Sequence, residues 1–137
     1  MGSRIPNQQI TEFLSHTNVF NHLSSEILND IAKNLETIHL SAGTVLINQH
    51  EIADCLYIVM YGRLNVIKIR NKKEVVIGEL GAGSLVGEIA ILVKQTRQAT
   101  ITAIRDSVVL KMSREMFDSL INKHPAAMMG IVRECVD

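Results

Sequence analysis

Arg97 and Glu88, nine positions apart, are the charged residues of this chain whose neighbours could do chemistry. From Gly81 to Thr100 the chain reads G-A-G-S-L-V-G-E-I-A-I-L-V-K-Q-T-R-Q-A-T. Arg97 offers a planar fork of donors that suits phosphate oxygens. Gly87 has no Cβ, so the backbone there can approach a ligand closely. Ile89–Leu92 is too short for a buried helix but suits a single helical turn. The free N–H groups of such a turn point outward and attract a phosphate. Glu88 is the odd member, because a carboxylate repels a phosphate. It must face something else, and a sugar hydroxyl is the natural partner.

Other chemistries find less support. An ordinary surface arginine, paired with Glu88 or Asp54, is the competing reading of Arg97, and Ile89–Leu92 is core whatever binds nearby. The five histidines, His16, His22, His39, His50 and His124, include no H-x-H pair and lie on separate segments, so no metal is expected. No G-x-S-x-G elbow or Cys/His arrangement points to a nucleophile, and the chain alone is not expected to be an enzyme. Cys55 and Cys135 are far apart and read as free thiols of a reducing compartment. Lys68-Ile69-Arg70-Asn71-Lys72-Lys73 reads as a solvated basic turn, or else as a contact for an acidic partner. Met128-Met129 reads as helix packing surface.

The elements that must position Glu88 and Arg97 follow from periodicity. Ile10, Phe13 and Leu14 share one face of a short helix. Ser24 is a candidate N-cap for a second helix with the stripe Ile27, Leu28, Ile31 and Leu35. From Thr37 the pattern changes to short β-branched runs: Ile38–Leu40, Thr44–Ile47, Leu56–Met60, Arg63–Ile69, Val75–Leu80, Thr100–Ile104 and Val108–Met112. Ser41-Ala42-Gly43, Tyr61-Gly62 and Asn71-Lys72-Lys73 mark turns. In Arg63–Ile69 apolar residues fall on both faces, which fits a closed double sheet. Ser113 is a candidate N-cap for a helix carrying Met116, Phe117, Leu120 and Ile121, which Pro125 ends. Ala126–Val136 starts another. The expected organisation is a helical segment at 1–36, a β-roll at 37–112 and helices at 113–137.

Composition sets the outer bounds. The 137 residues are 47% hydrophobic, enough for one globular domain with a real core. Lys plus Arg equals Asp plus Glu at 14 each, which argues against a dedicated nucleic-acid surface. No apolar run approaches the ~20 residues of a membrane span. The start of the chain lacks the apolar core of a signal peptide, so a cytoplasmic location is expected.

V-G-E-I-A-I-L, three residues, then T-R-Q-A-T resembles the phosphate-binding cassette of the cyclic nucleotide-binding domain family, roughly F-G-E-L-A-L-L, three residues, then P-R-A-A-T. The spacing matches without a gap. The F-x-x-L-S opening at Phe20–Ser24 and L-Y-I-V-M-Y-G-R-L-N-V from Leu56 to Val66 are also similar to the family. The resemblance implies a mainly β fold, a double-stranded β-helix or jelly-roll-like barrel flanked by N- and C-terminal helices. It implies that Glu88 holds the ribose 2′-hydroxyl and Arg97 the cyclic phosphate. Backbone amides near Ile89, Ala90 and Gln98-Ala99 would finish the cradle, with Gly87 beside them among the ligand-binding residues.

The chain departs from the family pattern in places. Val86 replaces a phenylalanine, Thr96 a proline, and Gln98 a small residue. The loop at Asn48–Asp54 lacks the family's two glycines, and a turn of different shape is expected there because non-glycine residues resist positive φ. The family uses a threonine just after the arginine to favour cyclic GMP. Gln98 in that place leans toward cyclic AMP.

The resulting expectation is a regulatory sensor of cyclic AMP, ahead of cyclic GMP, with no other cofactor, acting on an effector domain. Self-association through the C-terminal helix is a further option. The alternative is a ligand-free interaction or scaffold module that keeps the cassette as a structural loop.

Overall fold

The computed structural model describes residues 5–53, 55–87 and 95–136. Helix α1 (Asn7–Ser15) buries Ile10 and Leu14. Helix α2 (Ser25–Asn34) starts where Ser24 Oγ accepts the Ile27 amide at 3.3 Å. That bond satisfies one of the orphan donors of the first turn. Leu35 ends α2 in an extended conformation and stays buried, so the expected stripe runs one residue past the helix.

The strands are β1 (Glu36–Leu40), β2 (Val45–Ile47), β3 (Ile52–Ala53), β4 (Cys55–Tyr61), β5 (Leu64–Arg70), β6 (Lys73–Leu80), β7 (Leu85–Val86), β8 (Gln95–Thr96), β9 (Thr100–Ala103) and β10 (Ser107–Ser113). The seven expected strands are all present, with ends shifted by one or two residues. The two-residue strands β3, β7 and β8 are additions, too short to show a period. Two four-stranded antiparallel sheets form the roll, one in the order β1-β10-β4-β7 and the other β2-β9-β5-β6. Strands β3 and β8 make a separate small ladder.

Strand β4 explains why two cores coexist. Its alternation sends Cys55, Tyr57 and Val59 between the sheets, beside Leu40, Leu64, Val86, Ile101 and Val109. Leu56, Ile58 and Met60 point the other way, against the helices, where they meet Leu14, Phe20, Ile31 and Phe117. A strand sandwiched on both faces is apolar throughout, and Leu56–Met60 is. Double burial therefore belongs to β4. On β5, Leu64 is buried but Ile69 is exposed, because the far half of that strand runs beyond the roll.

Helix α3 (Arg114–Lys123) is capped by Ser113, whose Oγ accepts the Met116 amide at 3.2 Å. Phe117 and Leu120 are its buried residues, while Met116 and Ile121 are half-buried. Pro125 opens α4 (Pro125–Val136), where its missing N–H costs nothing. Met128 is buried and Met129 exposed, so the pair splits between packing and surface. Asp30 of α2 ties this corner down: its Oδ2 lies 2.9 Å from His124 Nε2, and Oδ1 faces Lys33 and Lys123 at 3.4 and 3.9 Å.

A candidate anion-binding site

The Arg97 backbone is fixed before its side chain is considered. Its amide donates to the Glu51 carbonyl at 2.7 Å, and its carbonyl accepts the His50 amide at 2.9 Å. These two bonds extend the β3–β8 ladder by a rung. The Gln49 amide donates to Thr100 Oγ1 at 2.9 Å. The Gln49 side chain accepts the Ile69 amide at 2.7 Å, tying the same loop to β5. A left-handed residue is present in this loop although non-glycine residues resist positive φ. His50 itself takes φ 77°, so the left-handed turn is made without glycine. The Glu51 carboxylate steadies it by accepting the Asn48 amide and side-chain nitrogen at 3.2 and 2.6 Å.

The Arg97 side chain turns inward. At 8% exposure it is the only buried charged side chain among the described residues. Nη2 donates to the Cys55 carbonyl at 3.0 Å and lies 3.6 Å from the Cys55 thiol. The guanidinium carbon is 5.9 Å from the centre of the Tyr57 ring, within reach of a cation–π attraction. Burial, and then the adjacent Cys55 thiol, hold the Tyr57 phenol above its ordinary range, so it stays neutral under the cation.

Gly87 has a role the sequence reading did not give it. At φ 77° the residue is left-handed, and a Cβ there would collide with the Arg97 guanidinium and come within 3.1 Å of the Cys55 carbonyl. The bare backbone of Gly87 therefore makes room for the arginine itself. Val86, where a phenylalanine was expected, is buried in the inter-sheet core and pairs in register with Tyr57.

Of the expected site residues, Gly87 and Arg97 come together. Gln98 is exposed, with its Nε2 3.4 Å from the Thr96 carbonyl, and Ala99 is half-buried beside it. Glu88, Ile89 and Ala90 lie outside the described residues, as does Asp54. Cys55 and Tyr57 were missed as neighbours of Arg97. Strand alternation could have paired them, since residues i and i+2 share a face. Nothing in the sequence says that this face looks onto the arginine.

This is a buried guanidinium with neutral partners: a carbonyl, a thiol and a ring. Among the described residues no carboxylate pairs with it. Such a charge is costly to bury uncompensated and favours an anion that can reach it.

The family model of the cyclic nucleotide-binding domain matches residues 37–124. The chain belongs to that family. It is 42% identical over 98 residues to a lysophospholipase NTE1 of Phaeosphaeria nodorum, which covers 71% of this chain but 6% of that relative's length. Among solved structures, the regulatory domain of Toxoplasma gondii PKA with cAMP is 28% identical at a TM-score of 0.75, covering 88% of this chain and 46% of that one. A cyclic nucleotide-binding domain from Methylobacillus flagellatus shares the fold at a TM-score of 0.82 and 21% identity, covering 95% of this chain and 75% of that one.

Proposed function

We propose that this chain is a cyclic nucleotide sensor, with cyclic AMP ahead of cyclic GMP as ligand, regulating a larger protein. The observation that carries the reading is the buried Arg97 guanidinium, held against Gly87 with no described carboxylate beside it. The cyclic phosphate is the anion for that charge. Glu88 takes the ribose 2′-hydroxyl, and amides at Ile89, Ala90, Gln98 and Ala99 complete the cradle. Gln98 replaces the threonine associated with cyclic GMP, which favours cyclic AMP.

The ligand acts by population shift, so it must prefer one packing of the C-terminal helix over another. The Asp30–His124 contact anchors the α3–α4 corner where such a change would start. The NTE1 relatives suggest the effector: a lysophospholipase in which this chain is the regulatory module. Isothermal calorimetry with cyclic AMP and cyclic GMP tests the reading. Saturable binding, tighter for cyclic AMP, supports it. No heat at millimolar ligand, from a folded sample, overturns it in favour of a ligand-free scaffold module.

A further inference from the structure

The β5–β6 hairpin is unlike the rest of the surface. Strand β6 is an edge of its sheet, and β5–β6 closes through Asn71 and Lys72, both left-handed at φ 52° and 65°, as a two-residue hairpin turn requires. Four large apolar side chains stand out here: Ile69 at 43%, Val75 at 46%, Val76 at 57% and Ile77 at 53% exposure. The ten residues 68–77 also hold four of the chain's fourteen Lys and Arg, against one of its fourteen Asp and Glu. The chain as a whole is neutral, so the charge is local.

The register adds a second observation. Arg70 is paired directly with Lys73, and Lys68 with Val75, so Lys68, Arg70 and Lys73 share one face. Like charges directly opposite each other are destabilising. Ile67, Ile69 and Val76 share the other face with Glu74. A ribbon with apolar side chains on one face and long basic ones on the other, two of them mutually repelling, fits a boundary that is apolar on one side and anionic on the other. Lysine and arginine stems can lie along the apolar layer while their charges reach the headgroups.

We propose that the β5–β6 hairpin docks on an anionic lipid bilayer, with Ile69, Val76 and Ile77 at the acyl boundary and Lys68, Arg70, Lys72 and Lys73 among the headgroups. The edge of β6 is a poorer template for a second copy. Its pairing with β5 shifts register opposite Val66 and Ile67, leaving Ile77 as an extra residue, and a bulge in an edge strand blunts strand-to-strand pairing.

Flotation of the 137-residue chain with phosphatidylcholine vesicles, with and without phosphatidylserine, tests this. Binding is expected with phosphatidylserine and weak without it. Each basic side chain near such a surface is worth about fivefold in partitioning, so Arg70→Glu with Lys73→Glu is expected to lower it by at least about twenty-fivefold. Val76→Ser with Ile77→Ser is expected to lower it as well, with an unchanged melting temperature showing that the fold is intact. Equal binding to both vesicle types, or by the charge-reversed chain, overturns the proposal. So does a dimer in sedimentation velocity that Val76→Ser dissociates while no vesicle binding is seen, which would assign the edge to a second copy.

Discussion

Replacing Gly87 with alanine separates the two roles a left-handed glycine can have. The first is conformational: a Cβ at positive φ costs about 1–2 kcal/mol. The second is steric, because the new methyl occupies the place of the Arg97 guanidinium. The arginine must then leave the Cys55 carbonyl, and a hydrogen bond from a charged donor contributes about 1.5–3 kcal/mol net. Some of that returns when the displaced group reaches water. The entropy alanine removes from the unfolded chain offsets about 0.4–1 kcal/mol more.

The expected loss for Gly87→Ala is therefore about 2–4 kcal/mol, or a melting temperature lower by roughly 6–20 °C at about 3–5 °C per kcal/mol for a domain of this size. Gly83 provides the control. It has φ 92° and nothing within 4 Å of a built Cβ, so Gly83→Ala carries the conformational cost and the entropy offset alone. The difference between the two variants isolates the contact with Arg97. Differential scanning calorimetry of both chains reads it directly. Equal melting temperatures for the two variants would refute the claim that Gly87 makes room for the arginine.

Two further substitutions probe the frame around the site. Gly62 joins β4 to β5 at φ 99°, and a Cβ there would sit 2.7 Å from the Ser107 Cα, which is backbone and cannot swing aside. Gly62→Ala should cost at least about 3 kcal/mol in urea unfolding, and a loss under about 1 kcal/mol would contradict the packing described. The Asp30 carboxyl is held below its usual range, first by the hydrogen bond to His124, then against burial by Lys33 and Lys123. A depressed carboxyl contributes stability that is in place above its unfolded pKa and is lost as pH falls through the folded one. The melting temperature of the wild type should therefore drop more steeply below about pH 4 than that of Asp30→Asn. Parallel curves would show that Asp30 has no such role.

The elements with a clear period were legible in the sequence. The caps at Ser24 and Ser113, the central strand around Leu56–Met60 and the Gly62 turn stand where side-chain chemistry placed them. What was not legible depends on contacts between segments distant in the chain. Arg97 was read as a donor facing a ligand, yet its described partners come from Cys55 and Tyr57, some 40 residues earlier, and no spacing rule reports such a meeting. His50 shows the limit of a propensity argument. Two amide–carbonyl bonds to Arg97 and a carboxylate-braced turn hold a non-glycine residue in a conformation it resists alone. The apolar residues of β5 misled in the opposite direction. Alternation assigned them to a closed roll, but the strand outruns the roll, and Ile69 ends on the surface.

Calorimetric titration of Arg97→Ala against the wild type with cyclic AMP tests most directly whether Arg97 seats an anionic ligand. Loss of one charged contact worth about 1.5–3 kcal/mol predicts binding weaker by roughly ten- to a hundredfold, in a variant shown by circular dichroism to be folded. Equal affinity in the two proteins would contradict it.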